Sequence, residues 1–169
     1  GLALLLASWI CAWGQFDFLG AARHHTFFPL WLGFILAVDG MVHRRTGHSL
    51  FVDHRLVFLL LFPASALSWW YFEGLNRWVQ TWWYQIPIPF GPAHYLIYSS
   101  LCFSTVIPAV FEVRAWLASF PALRGRYSRG PRLRIPGAAG FFAATAVLLL
   151  PLIPLFSRSV VFRHLGGAA

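Results

Sequence analysis

A run of residues without any ionisable side chain most narrows what this chain can fold into. Ile135–Ser157 is dense in Phe, Leu and Ala and carries no charge. At about 1.5 Å of rise per residue, a helix of this length crosses a hydrocarbon core of about 30 Å. Four further stretches lack Asp, Glu and Arg: Leu2–Gln15, His24–Val38, Leu56–Phe72 and Val79–Phe111. The sequence therefore predicts an integral membrane protein.

The overall composition agrees with a membrane location. Of the 169 residues, 59% are apolar and only 11% are charged, and the mean hydropathy is +0.64, whereas about a quarter of a soluble domain is charged. A net charge of +8 would suggest nucleic acid as the partner of a soluble protein. Here the arginines flank apolar stretches, so the positive charge indicates the orientation of membrane spans, and we expect no nucleic-acid partner. Cys11 and Cys102 lie inside apolar segments and are interpreted as buried hydrophobic residues.

The apolar pattern predicts an all-α bundle of about five spans that forms a single transmembrane domain over 1–169. Pro63 and Pro108 lie inside the third and fourth spans, and Pro151 lies inside the fifth. Kinks are expected there, because neighbouring helices can satisfy the carbonyls that proline frees. The five spans are expected at 2–19, 26–42, 56–72, 95–113 and 138–156.

The distribution of arginine predicts the orientation of these spans. Nine of the 13 basic residues, all of them Arg, lie in the connections after the second and fourth spans. By the positive-inside rule these connections are cytoplasmic, the N-terminal end is inside and the C-terminus is outside. We expect a multi-pass protein of the bacterial cytoplasmic membrane.

The connection between the third and fourth spans has an amphipathic pattern. Apolar residues recur at helical spacing on one face, including Trp78 and Trp82, while Asn76 and Arg77 occupy the other face. Trp side chains prefer the headgroup level of a bilayer. The pattern predicts an interfacial helix over about 73–84.

Two acids lie at matching ends of two predicted spans. Asp39 is near the cytoplasmic end of the second span and Glu112 is at the corresponding end of the fourth. Ionisable residues inside a span are costly and are usually paired or functional. Arginines follow each acid, so we expect either boundary ion pairs or a charge network suited to an anionic headgroup. This network comprises Asp39, Arg44, Arg45, Glu112 and Arg114.

The seven histidines all fall at predicted span ends or in loops, which argues against a haem between two spans. One of the adjacent His24 and His25, together with His94 and Glu73, could form a metal or proton-handling site on the outer side. The alternative is that histidine simply tolerates a wet interface. The seven are His24, His25, His43, His48, His54, His94 and His164.

Glu73 and Asn76 end an aromatic run and are the candidates for catalysis. An in-helix ion pair between Glu73 and Arg77 is the simpler explanation. A carboxyl group among Trp69, Trp70 and Phe72 could instead act as a general acid toward an apolar lipid. No established catalytic motif supports that alternative.

Small residues form stripes on two spans and predict close helix packing. Gly33 and Ala37 mark the second span, and Ser100 and Ser104 mark the fourth. Association between helices in lipid depends on such close contacts, since lipid tails solvate apolar side chains well. The abundant Trp and Phe also offer surfaces for lipid, carotenoid, quinone or a chlorophyll-type pigment.

Four segments resemble stretches of bacterial polytopic membrane proteins that carry no assigned activity. The resemblance covers about residues 27–112, fades in the last third and transfers no catalytic residue. It implies a bacterial membrane protein. The segments are Phe27–Gly33, Arg44–Gly47, Trp69–Asn76 and Phe103–Glu112.

Three functional hypotheses follow from these patterns. The first is a non-catalytic subunit that packs within or against a larger membrane assembly, such as a photosynthetic or respiratory complex. The second is a small membrane enzyme that acts on a polyprenyl- or carotenoid-type lipid with Glu73 as the general acid. The third is a transporter, although an odd number of spans leaves no symmetric half.

Overall fold

A computed structural model of the chain describes residues 1–14, 16–84, 91–127 and residue 140. Within those residues the fold is helical and contains no strand, so the all-α prediction is confirmed there. The chain divides into two compact units, 1–72 with 86–129 and 73–85 with 130–169. Apart from residue 140, the predicted fifth span at 138–156 lies outside the described residues.

Three helices are long and apolar enough to cross a membrane: Phe27–Thr46, Arg55–Trp78 and Pro92–Ala118. With 20 to 27 residues each, they reach at least about 30 Å, the thickness of a hydrocarbon core. These three segments indicate a membrane protein.

The first helix, α1, spans Leu2–Gly14 and ends earlier than the expected boundary at residue 19. A Cβ on Gly14 would collide with the ring of Phe16, so the Phe16 side chain lies against the end of the helix. A 3₁₀ segment follows at Asp17–His25, and Gly20 within it has a φ of +49°, which is accessible to glycine without strain. At 13 residues, α1 is only about 20 Å long.

Helix α2 runs from Phe27 to Thr46 and packs closely against α1. A Cβ on Gly33 would lie 2.5 Å from the backbone nitrogen of Leu5, so only glycine allows this approach. The helix continues past its expected end at residue 42. It stops where Gly47 adopts a φ of +76° and donates its N–H to the His43 carbonyl over 2.8 Å, a common helix terminator.

Helix α3, Leu50–Asp53, is one turn long and leads into α4, Arg55–Val79. The prediction of an interfacial helix over 73–84 is wrong, because residues 73–79 are the last turns of α4 and 80–84 are not helical. The Asn76 side chain accepts hydrogen bonds from the N–H groups of Thr81 and Trp82 at 3.0 and 3.3 Å. A short amide side chain thus replaces the helical partners of these groups.

The fourth predicted span is two helices, α5 at Pro92–Phe103 and α6 at Val106–Ala118. The hydroxyl of Ser65 bridges the Phe103 carbonyl and the Ile107 N–H, which would bond directly to each other in a continuous helix. It donates to the Phe103 carbonyl over 2.6 Å and accepts the Ile107 N–H over 3.0 Å. The break is therefore satisfied by a neighbouring helix, as membrane helices require. Helix α7, Pro121–Tyr127, follows.

The apolar core lies where α2, α4 and α6 meet. It is formed by Ile35, Phe58 and Ala109, which are nearly or fully buried. Because α2 and α6 pack directly against each other, polar side chains on their facing sides are enclosed by protein.

Candidate functional site

Asp39 on α2 and Glu112 on α6 form a buried acid pair. Asp39 is 4% exposed and Glu112 is fully buried. The Asp39 carboxyl is close enough to interact electrostatically with that of Glu112. The packing of α2 on α6 thus brings together two acids that are 73 positions apart in the sequence, and we call them the acid pair.

Both oxygens of Asp39 accept hydrogen bonds from the segment that follows α2. Ser49 donates its hydroxyl to Oδ2 over 2.9 Å, and Phe51 donates its backbone N–H to Oδ1 over 2.9 Å. The Ser49 hydroxyl also accepts the Val52 N–H over 3.3 Å and so caps α3. Asp39 therefore holds the start of α3 in place.

Glu112 has a different environment. No hydrogen bond of good geometry reaches either of its carboxyl oxygens from the described residues. Its polar neighbour is the Asp39 carboxyl, with which it can share a hydrogen bond only when one of the two acids is protonated. Burying a carboxyl group without a partner is unfavourable, and burying it in charged form is far more so. A second carboxylate beside it adds like-charge repulsion. The acid pair is therefore expected to carry a proton or a cation.

The arginines of the predicted charge network lie elsewhere. Arg45 donates from Nε to the Ser119 hydroxyl over 3.0 Å, and its guanidinium stands 4.0 Å above the ring of Phe120. Arg44 and Arg114 are exposed. In the part of the chain that the structure describes, no arginine forms an ion pair with either acid. The structure thus brings the two acids together without their expected counter-ions.

Ser49, which links Asp39 to the start of α3, was not among the predicted site residues. The available signal was its position: a serine after Gly47 and directly before the apolar Leu50 and Phe51 is typical of a helix N-cap. Next to it, the Ser49 N–H donates to Asp53 Oδ2 over 2.8 Å, and His48 lies 3.3 Å from the same oxygen. The hydrogen bond from the Ser49 N–H lowers the pKa of Asp53, and His48 lowers it further.

A second polar cluster lies before α2 and at the start of α5. His25 and His94 approach each other with 2.8 Å between their Nε2 atoms. Tyr98 meets the His25 ring edge-on at a centroid distance of 4.7 Å and donates its hydroxyl to the His24 carbonyl over 3.2 Å. Of the predicted metal ligands, the structure brings His25 and His94 together. No group of three metal-binding side chains occurs among the described residues.

Glu73 and Asn76 organise a loop in the second unit. One oxygen of Glu73, Oε1, accepts hydrogen bonds from Trp82 Nε1 over 3.0 Å and from the Tyr84 hydroxyl over 2.5 Å. Asn76 donates from Nδ2 to the Trp82 carbonyl over 2.8 Å. The geometry gives these side chains a structural role in closing the loop.

The small residues predicted to mark close helix packing contact this chain's own helices. Gly33 lies against the backbone of Leu5, and Ala37 lies against Gly1. Ser100 accepts the Trp70 Nε1–H over 2.9 Å, and Ser104 donates to the Leu101 carbonyl over 2.6 Å. These side chains therefore stabilise the fold of the chain itself.

No family model, curated protein or solved structure matches this chain. This result is consistent with the resemblance to bacterial membrane proteins without an assigned activity. Functional inference therefore rests on the chemistry of the sites themselves.

Proposed function

We propose that this chain is a proton-binding membrane protein that takes up and releases a proton at the acid pair as part of proton transport. The observation that carries the proposal is the state of Glu112, which is fully buried, receives no hydrogen bond of good geometry from the described residues and lies beside Asp39. Ionisable residues inside a membrane bundle are costly, and among their established roles are ion pathways and proton relays.

Like-charge repulsion explains why a proton is required. Two charged carboxylates side by side repel each other, and the repulsion is stronger inside a protein than in water because the effective dielectric constant is lower. No arginine offsets that repulsion in the described part of the chain. A single proton on Glu112 removes one charge and supplies an O–H that can donate to Asp39. Changing the occupancy of that proton changes the charge between α2 and α6.

A proton fits the acid pair better than a metal ion does. Both Asp39 oxygens already accept hydrogen bonds from Ser49 and Phe51. A hard cation such as Na⁺ or Ca²⁺ needs several oxygen ligands arranged around it, whereas a proton needs one acceptor and one neighbour.

The proposed topology gives the acid pair a position relative to the two sides of the membrane. We propose five spans in the bacterial cytoplasmic membrane with the N-terminal end inside, on the basis of the arginine distribution. Asp39 and Glu112 then lie toward the cytoplasmic ends of their spans. Protons would enter or leave the acid pair from that side, next to Ser49 and α3.

The two leading sequence hypotheses receive less support from the geometry. The assembly hypothesis stays a prediction, and the small residues that motivated it contact this chain's own helices. The lipid-enzyme hypothesis needs Glu73 as a proton donor, but its Oε1 is engaged by Trp82 and Tyr84. Transport of a proton uses the buried acids, which the other two hypotheses leave without a role.

Proton flux into liposomes tests this function. The full-length chain is reconstituted into potassium-loaded vesicles that contain a pH-sensitive dye, and valinomycin imposes a membrane potential. We expect faster acidification than in empty vesicles, and we expect Glu112→Gln to abolish the difference. Glu73→Gln is the matched control and should retain it. Flux that persists unchanged in Glu112→Gln, or a wild type no faster than empty vesicles, contradicts the proposal.

A further inference from the structure

His25 and His94 face each other nitrogen to nitrogen. Their Nε2 atoms are 2.8 Å apart, their ring centroids are 5.0 Å apart and their planes differ by 9°. With ring bonds of about 1.33 Å, each nitrogen lies roughly 1.1 Å from its ring centre. The 2.8 Å between the nitrogens and the two distances from nitrogen to ring centre add up to about the observed centroid distance of 5.0 Å. The rings are therefore collinear and nearly coplanar, as in an N–H···N hydrogen bond, and they do not overlap face to face.

A backbone carbonyl fixes the proton positions in this pair. His25 Nδ1 lies 3.1 Å from the carbonyl oxygen of Ala21. A carbonyl oxygen only accepts, so this Nδ1 carries the hydrogen. The Nε2 of a neutral His25 is then an acceptor, and the hydrogen between the rings belongs to His94.

This arrangement accommodates one additional proton but not two. When the first proton arrives, both Nδ1 atoms carry hydrogen and a single hydrogen remains shared between the Nε2 atoms. A second proton would place an N–H on each Nε2, with the two hydrogens directed at each other and two positive charges side by side. The hydrogen bond must then break.

We propose that His25 and His94 form a second proton-binding site, which holds one excess proton across their Nε2 atoms. Uptake transfers a proton from water to a ring nitrogen of the exposed His94, and release returns it to water, so no other bond forms or breaks. Among the described residues, the titratable side chain of Tyr98 contacts both rings, with centroid distances of 4.7 and 6.3 Å.

The geometry selects a proton over a metal ion. A metal bound linearly between two imidazoles needs about 2.0 Å to each nitrogen, so the nitrogens would have to be about 4 Å apart. They are 2.8 Å apart. The lone pair of one ring points directly at the nitrogen of the other, and a hydrogen atom fits between them.

The position of the histidine pair gives it a role relative to the acid pair. His25 precedes α2 and His94 lies in the first turn of α5, while Asp39 and Glu112 lie further along the same two segments. Phe27 and Asp39 are separated by about 18 Å of α2. In both segments the acid pair therefore lies several helical turns beyond the histidine pair, on α2 and on α6. That the histidine pair exchanges protons with the opposite side of the membrane rests on the proposed function, whereas proton sharing between the rings does not.

The test is a through-bond ¹⁵N–¹⁵N coupling in the full-length chain, labelled at histidine and held in lipid nanodiscs. A shared hydrogen couples the two Nε2 atoms directly. We expect the coupling at neutral pH, its retention while the pair takes up one proton and its loss on further acidification. His54→Gln, at an exposed residue outside this cluster, is the control and should retain the coupling. His94→Gln should remove it.

Three outcomes overturn this inference. The first is a wild type without coupling at any pH. The second is coupling that survives in His94→Gln. The third is stoichiometric binding of added Zn²⁺ that requires both histidines and precedes any coupling, which would identify a metal site. Because the coupling is measured without a membrane potential, it can be present when vesicle flux fails or absent when flux succeeds. The two proposals therefore fail separately.

Discussion

The two ends of the α2 and α5–α6 segments hold titratable pairs of opposite kind in opposite surroundings. At one end, Asp39 and Glu112 are 4% and 0% exposed. At the other, His94 is exposed and His25 is half-buried. A proton at the buried end cancels a charge that the bundle cannot solvate, so its occupancy affects the packing of α2 on α6. A proton at the exposed end changes one hydrogen bond between the 3₁₀ segment and α5. Under the two proposals, the same ligand would change helix packing at one site and a single hydrogen bond at the other.

Breaking the packing of α1 on α2 should produce the largest effect, because it forces two closely packed helix backbones apart. Gly33→Leu places a side chain where even a Cβ would lie 2.5 Å from the backbone of Leu5. We expect a loss of about 3 kcal/mol or more in the free energy of unfolding, or no folded protein. Gly40→Leu is the control on the same helix, where a Cβ has open space, and should change stability by about 0.5 kcal/mol or less. Thermal unfolding in detergent, followed by circular dichroism, compares them. Equal stability of the two variants would contradict the close approach.

The break between α5 and α6 lies between the helix that carries His94 and the helix that carries Glu112. Its freed backbone groups bond to Ser65. Ser65→Ala leaves the Phe103 carbonyl and the Ile107 N–H without their buried partner. We expect a loss of about 1–3 kcal/mol in the free energy of unfolding. Ser68→Ala removes only an exposed hydroxyl bonded within its own helix and should have little effect. Denaturant unfolding of both variants checks this difference, and an equally small effect for Ser65→Ala would show that the break is satisfied in another way.

Ser49 provides a test that separates the two ends. Ser49→Ala removes a hydrogen bond to Asp39 and the cap of α3. We expect a loss of about 1–2 kcal/mol in the free energy of unfolding, while the His25–His94 coupling stays unchanged. Ser49→Thr retains the hydroxyl and should preserve most of the stability. If the histidine coupling disappears in Ser49→Ala, the two ends are not independent.

The smallest effect is expected at Asp53, which is exposed beside His48. Its pKa is lowered first by the Ser49 N–H and then by His48, so its folded state favours the carboxylate. A lowered folded pKa stabilises the protein above the unfolded value, and this stabilisation is lost as the pH falls below about 4. Asp53→Asn should therefore flatten the acid limb of the stability profile slightly. Thermal unfolding as a function of pH measures it, and an identical acid limb in both proteins would contradict the assignment.

The sequence predicted the helical membrane fold and the location of the acids, because apolar run length and charge spacing are local properties. Pro108 predicted a kink in the fourth span, and the break at Ser104 and Thr105 lies one turn before it. The sequence did not predict its partner, because the hydroxyl that satisfies the break comes from Ser65 on another helix. The predicted helix over 73–84 failed for a related reason. Its amphipathic pattern was real, but the Asn76 side chain offered the backbone of residues 81 and 82 different partners.

The candidate sites also depend on contacts between helices that the sequence pattern does not show. The pattern of an acid followed by arginines predicted ion pairs for Asp39 and Glu112. Helix rotation instead directs the acids inward and leaves Arg44 and Arg114 exposed. The contact between His25 and His94 joins residues 69 positions apart, and no spacing rule connects them. Which side chains meet across helices depends on helix packing, and in this chain Gly33 and Ser65 determine much of it.

The protonation state of Glu112 at neutral pH tests the central claim most directly. Infrared absorption distinguishes a protonated carboxyl group from a carboxylate by its C=O stretch, in the full-length chain in lipid. The account predicts a carboxylic acid band that is present in the wild type, lost in Glu112→Gln and retained in Glu73→Gln. A wild type without this band, or a band of equal intensity in Glu112→Gln, would contradict it.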